Sequence, residues 1–451
     1  MDSRFVQFKN LLTTSFGLDP LIIISVAAKI FQAIGLLLLL TCVGFFLNEV
    51  ERGFYFSFTS LAALQIFFEL GIGTVIVQHS ARFIVDCGGN LHNENLDYSS
   101  KSFKDMKGLF NFNLLWTLLS GSLLFLIVFP VSIVFFNNIP ESSSVSWFHE
   151  WLILCISVSL FLPFSAQLSF FEGAGYLYKV LKLRLALSII SYLLAILLLS
   201  QGFGLYAVSM IFITPVILIS LWIYYEQIKI YKIMMSLFNI KGNFIYWFKR
   251  LLPMQWRIAV SWICGFIAFQ SATPVTLKYF GAIAAGELGF LLNITNAIVG
   301  FMGAWVTTKI PIFSKYIEDQ EYSSLDNLFF FTARKSAIVF LTLSVLIFYS
   351  SQVYFSYNET YFITNMSIVS FLLIASLTTI SYAQAVYLRS FLQELFVVPS
   401  LTYALLIVIL LPVLINYYGF NGLLAAYALA AIISTCLTTQ TFVNFKKNIR
   451  I

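Results

Sequence analysis

Apolar runs long enough to cross a lipid bilayer recur along the sequence and constrain the fold more than any other feature. A membrane-spanning helix needs about 20 apolar residues. Twelve such runs lie at about 21–47, 54–80, 109–136, 151–171, 185–199, 205–225, 257–277, 289–312, 336–350, 362–387, 396–415 and 422–442. Only 10% of the residues are charged, against about 25% in a soluble protein. The sequence therefore predicts an all-α polytopic membrane protein with twelve transmembrane helices.

The distribution of lysine and arginine predicts the orientation of these helices. Most of the basic residues fall in alternate loops on one side of the membrane, whereas Arg52 and Lys278 fall on the other side. Cytoplasmic loops carry an excess of Lys and Arg. Both termini are therefore expected to be cytoplasmic. Residues 1–18 repeat phenylalanine at helical spacing beside Arg4 and Lys9, which predicts a short helix on the membrane surface.

The long polar interval 226–256 divides the predicted spans into two sets of six. It predicts an N-terminal lobe over 1–225, a cytoplasmic linker over 226–256 and a C-terminal lobe over 257–451. Short matches support this division as a pseudo-repeat. Ala166-Gln167 recurs as Ala383-Gln384, Gly202-Phe203 recurs as Gly419-Phe420 at the same offset, and Glu51, Gly53 and Phe54 recur as Glu287, Gly289 and Phe290 at another offset. Parallel repeats of this kind place a substrate path between the two lobes.

Two charged residues lie inside the first predicted hairpin, Lys29 on the first helix and Glu69 on the second. A charge at mid-bilayer costs about 2.5–3.5 kcal/mol, so it normally faces a partner or a cavity. Gln32 lies three residues after Lys29, and Gln65 lies four before Glu69, so each charge has a polar neighbour on its own helix face. The pattern indicates a polar cavity between the lobes, and a structural ion pair that locks the two helices is the alternative.

Arg257, Asn293 and Asn296 are the candidate binding residues of the second lobe. Arg257 begins the seventh predicted span, and the two asparagines share one face of the eighth. Facing the cleft, Arg257 would oppose Lys29, and the two cations together would suit a phosphate group. The alternatives are that Arg257 extends to the membrane surface and that the asparagines form hydrogen bonds between helices.

Several features of known enzymes and ion-binding proteins are missing from the sequence. The five cysteines have no metal-ligand spacing, and no Walker A motif or Ser–His–Asp set is present. The basic residues lie between membrane spans, so the net charge of +6 does not indicate nucleic-acid binding. We therefore expect a transporter rather than an enzyme, with no metal site and no cofactor other than a coupling ion, H⁺ or Na⁺.

The segments around the first hairpin resemble a known family. Residues 49–55, Glu-Val-Glu-Arg-Gly-Phe-Tyr, and 68–74, Phe-Glu-Leu-Gly-Ile-Gly-Thr, look like the opening of polysaccharide transporters of the O-antigen flippase type. These belong to the multidrug/oligosaccharidyl-lipid/polysaccharide exporter superfamily. The glycine turns at 202–207 and 419–423 are similar to those of the family. The resemblance implies two six-helix bundles around a cavity that opens alternately to each side.

The resemblance also implies a substrate and a location. It implies a flippase that moves an undecaprenyl-pyrophosphate-linked oligosaccharide across the bacterial inner membrane, from the inner to the outer leaflet. Membrane lipids and polysaccharide polymerase machinery would be its partners. A cation-coupled multidrug exporter of the same superfamily is the first alternative, which Glu69 keeps open and Lys29 argues against. A membrane polymerase or glycosyltransferase is the second, and the sequence lacks the large outer loop or acidic motif expected of one.

Overall fold

A computed structural model of the chain describes residues 20–86, 101–235, 240–307, 309, 312–313, 316–317, 319–356, 364–391 and 395–449. Within these ranges the backbone forms helices and connecting turns, and no strand. The helices are α1 (Pro20–Phe46), α2 (Glu49–Ala62), α3 (Gln65–Glu69), α4 (Ile72–Asp86), α5 (Lys101–Asn137), α6 (Phe148–Phe171), α7 (Leu177–Ser200), α8 (Tyr206–Trp222), α9 (Ile228–Met235), α10 (Ile240–Phe269), α11 (Ala272–Thr307), α12 (Tyr322–Ser356), α13 (Asn365–Arg389) and α14 (Val397–Ile449). The surface helix predicted over 1–18 lies outside the described residues.

Seven helical segments of the described chain are long and apolar enough to cross a membrane. Three of them contain a glycine at which the backbone leaves the helical conformation: Gly175, Gly281 and Gly419, with φ of 97°, 85° and 57°. Glycine suits these breaks because a left-handed conformation costs an L-residue about 1–2 kcal/mol. An all-helical membrane-protein fold is therefore present. The count of twelve spans and the cytoplasmic location of both termini stay predictions.

The second predicted span, 54–80, is wrong as a continuous helix. The helix ends at Ala62, resumes for the short α3, and breaks again at Leu70 and Gly71, with φ of 51° and 67°. Turn-type hydrogen bonds replace helical ones at the first break, where Leu64 N donates to Leu61 O at 3.0 Å and Phe67 N to Leu64 O at 2.9 Å. The apolar pattern cannot reveal these breaks, because the residues at both are as apolar as their helical neighbours.

Helix α10 packs against both halves of the chain. Trp247 and Leu251, in its first half, are buried in a cluster with Phe83 of α4. The ring centroids of Trp247 and Phe83 lie 5.8 Å apart. Just after the other end of α10, the Ser271 hydroxyl lies 2.8 Å from that of Tyr427 in α14. The helix therefore connects the helices of the first predicted lobe with those of the second.

A buried ion pair holds the end of α14 against α12. Lys446 Nζ lies 2.8 Å from Asp326 Oδ2, with side chains 16% and 8% exposed, and the Tyr387 hydroxyl donates to Asp326 Oδ1 at 2.8 Å. Removing one partner of a buried pair leaves an uncompensated charge and typically costs about 3–5 kcal/mol. We expect Asp326→Ala to lower the free energy of unfolding by about that amount, measured by thermal unfolding in detergent.

The matched control is the exposed ion pair between Lys179 and Glu226, whose side chains are 44% and 47% exposed at 2.9 Å. Exposed pairs contribute about 0–1 kcal/mol because water and salt screen them. Lys179→Ala should therefore leave the unfolding midpoint nearly unchanged. Equal effects of the two substitutions would contradict the assignment of the Asp326 pair as a structural anchor.

Candidate functional site

The break between α3 and α4 places Glu69 next to a new helix N-terminus. Glu69 ends α3, and α4 begins three residues later at Ile72. A Cβ built on Gly73 would lie 3.4 Å from Glu69 Oε1 and 3.1 Å from the Ser169 hydroxyl of α6. The first N–H groups of a helix lack intrahelical partners and carry a partial positive charge. The carboxylate of Glu69 thus lies beside the end of α4 that favours a negative charge.

Arg184 supplies a full positive charge to the same region. Its Nη2 atom lies 2.6 Å from Glu172 Oε2. Glu172 begins the irregular turn between α6 and α7. The described part of this site, which we call the Glu69 site, therefore combines two carboxylates, one guanidinium and the hydroxyl of Ser169. With both carboxylates ionised the set carries one net negative charge, so it can hold a proton or a small cation.

Of the other predicted residues of the first lobe, Gln65 lies on the same short helix as Glu69, whereas Gln32 is exposed on α1. The side-chain oxygen of Gln65 is buried without a hydrogen-bond partner among the described residues. Gln32 forms a side-chain hydrogen bond with Tyr192 of α7, which directs it toward another helix of the first lobe. Lys29 lies on α1, and its side chain is outside the described part of the structure.

In the second lobe, Asn293 and Asn296 lie on α11 and are partly buried. The amide of Asn293 donates to Gly289 O of the same helix at 2.8 Å, so one of its groups is already used within the helix. Arg257 lies on α10, and its side chain is outside the described part of the structure. No contact described here joins the asparagines to the Glu69 site, so a shared binding surface for all seven residues stays a prediction.

Helices α2 and α11, which belong to different predicted lobes, pack backbone to backbone. A Cβ on Gly53 would overlap Ala282 O, and a Cβ on Gly289 would overlap the Cβ of Phe56. Small residues allow membrane helices to approach this closely. The rings of Phe56 and Phe290 continue the contact, with centroids 6.5 Å apart. This lobe contact begins in the first turns of α2, on the side of Arg52, which the charge pattern predicts to face away from the cytoplasm.

The sequence contained signals for some of this geometry. The recurring Glu-x-Gly-Phe of 51–54 and 287–290 supplies Gly53 and Gly289, both of which lie in the lobe contact. Gly71, two residues after Glu69, lies at the second helix break with a positive φ, but glycine is common in membrane helices and does not by itself predict a break. The participation of Ser169 and Arg184 had no such signal, because a serine in an apolar run and an arginine near its end are common in membrane helices.

Solved structures share this fold over nearly the whole chain. An inward-facing multidrug resistance MATE family transporter of the MOP superfamily has a TM-score of 0.56 and 15% identity, covering 92% of this chain and 99% of its own. An outward-facing structure of such a transporter has a TM-score of 0.58 and 14% identity, covering 94% and 96%. A MOP superfamily transporter from Pyrococcus furiosus has a TM-score of 0.55 and 13% identity, covering 97% and 98%.

The apolar helices of the described residues define a helical membrane protein. More particularly, the likeness shows the fold of MATE transporters of the MOP superfamily. No family model and no curated protein matches the sequence. At 13–15% identity the likeness establishes the fold alone, and it does not confirm the O-antigen flippase subfamily.

Proposed function

We propose that this chain is a multi-pass membrane transporter that works by alternating access between its two lobes. The observation that carries the proposal is the close contact of α2 with α11 in a MATE-like fold, since lobes that meet at one end can separate there when they rock. Inward- and outward-facing structures exist for such folds. The substrate must bind the two states with different affinities for transport to have a direction.

The comparisons favour a cation-coupled multidrug exporter as the substrate assignment. Two of the similar structures are described as multidrug resistance MATE family transporters, and one as a MATE protein in complex with Br-NRF. The Glu69 site is consistent with coupling to a cation, because it offers carboxylates within the membrane. On likeness of fold alone, this alternative has more support than the flippase.

Site chemistry supports the lipid-linked oligosaccharide flippase as the second candidate. One protein of this fold is described as having a binding pocket of reverse polarity that suggests a different function, and substrates are decided by sites rather than by folds. Here Arg184 pairs with one of the two described carboxylates of the Glu69 site, that of Glu172. A cavity in the second predicted lobe is lined by hydroxyl groups, aromatic rings and an arginine, and by no acidic residue of the described chain. This cavity suits a sugar-bearing anion better than a cationic drug.

Deletion of the gene in its native host separates the two candidates. A flippase predicts loss of surface polysaccharide and accumulation of lipid-linked units that face the cytoplasm. An exporter predicts unchanged polysaccharide and, on expression in a drug-sensitive host, increased drug tolerance. Unchanged polysaccharide would overturn the flippase assignment, and unchanged drug tolerance would overturn the exporter. Purified protein that polymerised sugars in vitro would overturn both.

Lys29 provides a further test of the predicted cavity charge. We expect Lys29→Ala to reduce transport strongly without affecting membrane insertion, because a neutral side chain cannot attract an anionic head group. Lys29→Arg should retain more transport, because it keeps the positive charge. The measurement is restoration of surface polysaccharide in the deletion host, with the amount of protein in the membrane followed by immunoblotting. Normal transport by both variants would mean that this charge plays no part.

A further inference from the structure

The second lobe encloses a cavity of about 220 Å³ between α10, α13 and both arms of α14. We call it the α13–α14 cavity. Cys264 and Gly265 line it from α10, and Arg389 lies at the end of α13. Pockets that bury a drug-sized ligand are typically about 300–1,000 Å³. The α13–α14 cavity is therefore suited to a smaller group, such as one sugar ring of a longer molecule.

Hydroxyl groups supply most of the polar part of this cavity, which is partly open and otherwise mostly apolar. Six serine and threonine side chains contribute to it: Thr378, Ser381, Ser400, Ser434, Thr435 and Thr438. Tyr382 and Tyr403 add two aromatic rings, and Arg389 adds a positive charge. No lining residue in the described part of the chain is acidic. A cationic ligand would find no counter-charge there, and burying an unpaired charge is costly.

Hydrogen bonds within the protein already position most of these hydroxyl groups. Thr378 donates to Ala375 O at 2.9 Å, Ser434 to Pro399 O at 3.2 Å, and Thr438 to Thr435 O at 2.9 Å. Thr435 donates to Leu377 O at 3.3 Å, and the Ser381 hydroxyl lies 3.1 and 3.2 Å from those of Thr435 and Thr438. A hydroxyl has one donor and two acceptor lone pairs. The lone pairs left over can accept hydrogen bonds from a ligand. The matching ligand therefore carries several O–H donors. The guanidinium of Arg389 suits a phosphate or carboxylate attached to it.

Serine and threonine in membrane helices often bond the backbone of their own helix, or a neighbouring helix as Ser381 does, without a further role. The predicted pseudo-repeat favours a further role here. At the offset of the Ala-Gln match, five of the hydroxyl positions correspond to apolar residues in the first predicted lobe. Thr378, Ser381, Ser434, Thr435 and Thr438 correspond to Phe161, Phe164, Ile217, Leu218 and Leu221, in that order. Phe164 and Leu218 pack against the apolar core of the first lobe. The helical framework therefore does not require hydroxyl groups at these positions.

We propose that the α13–α14 cavity binds a sugar ring of the transported substrate. This inference rests on the flippase candidate under the proposed function and extends it by naming a saccharide site within the second lobe. On this proposal, residues of α13 and α14 contact the sugar. The lipid portion of the substrate would contact the rest of the protein and the bilayer.

Cys264 makes the proposal testable without a transport assay, because its thiol lines the cavity. The test uses purified full-length protein in which the other four cysteines are alanine. The rate of Cys264 alkylation by N-ethylmaleimide is measured alone, with the lipid-linked saccharide fraction extracted from the native host, and with undecaprenyl phosphate. We expect the saccharide fraction to slow alkylation at least threefold and undecaprenyl phosphate to have no effect.

Two variants in this background identify the cavity as the cause of protection. Thr435→Leu introduces the residue found at the equivalent first-lobe position and should abolish protection. Thr402→Leu is the matched control, because Thr402 is a partly exposed residue of the same helix that does not line the cavity and that bonds its own backbone at Val398 O. Thr402→Leu should keep the protection. Equal protection by undecaprenyl phosphate, or protection that survives Thr435→Leu, would overturn the saccharide site.

Transport of the same fraction into proteoliposomes separates this inference from the proposed function. Transport without protection of Cys264 would remove the saccharide site and leave the flippase in place. Protection without transport would keep the site and remove the flippase. If neither occurs, both are wrong.

Discussion

Gly53→Ala is expected to reduce transport at least tenfold, although it adds a single methyl group. The backbone of α2 approaches α11 so closely that a Cβ on Gly53 would overlap Ala282 O. A backbone carbonyl cannot move aside as a flexible side chain can, so the two helices must separate. The closed end of the lobes would then be lost, and alternating access needs both the closed and the open state.

Gly300→Ala is the matched control for this prediction. Gly300 lies on the same helix, α11, and a Cβ there would have no heavy atom within 4 Å. We expect this variant to transport normally. Both variants should be compared at equal membrane content, with size-exclusion chromatography in detergent to detect misfolding. Normal transport by Gly53→Ala would show that the lobe contact is not needed for the cycle.

Glu69→Gln is expected to have the second large effect, a loss of transport of at least tenfold. The substitution keeps the shape of the side chain and removes its charge. The carboxylate lies beside the N-terminus of α4, and an amide can neither carry the negative charge that this end of the helix favours nor bind and release a proton. The transport rate of Glu69→Asp should lie between those of the unmodified protein and Glu69→Gln, since aspartate retains the charge on a shorter side chain.

The measurement for Glu69 is transport into proteoliposomes with and without an imposed proton or sodium gradient. If Glu69 couples transport to an ion, transport by Glu69→Gln should no longer respond to the gradient. If its role is purely structural, the unfolding midpoint of the variant should fall and any remaining transport should still respond to the gradient. Glu226→Gln serves as the control, because Glu226 is an exposed acid in an ion pair with Lys179. A gradient response of Glu69→Gln equal to that of the unmodified protein would contradict coupling at this residue.

The sequence predicts the helical class of this protein well because hydrocarbon permits few alternatives. Long apolar segments must satisfy their own backbone hydrogen bonds, so they form helices. The same argument fails at Leu64 and Leu70, where the helix breaks within an apolar run. Whether the backbone stays helical there depends on packing against α5, α6 and α10. Hydropathy carries no information about those contacts.

The candidate site was predictable only in part for a related reason. Glu69 and Gln65 stand out because a polar residue in an apolar run is costly. The participation of Ser169 and Arg184 depends on how α6 and α7 cross the broken second helix. The hydroxyl groups of the α13–α14 cavity recur at helical spacing, but only the packing of α10 against them encloses a volume.

Helix α10 has a consequence for any movement of the molecule. One end is held by Trp247 among the helices of the first half, and the other adjoins Tyr427 of α14. When the halves tilt, α10 must flex between these anchors. Gly265 offers room for that flexing, since a Cβ there would have open space around it, and it also lines the α13–α14 cavity. Whatever occupies the cavity therefore touches the segment that has to bend, so occupancy and tilting cannot vary independently.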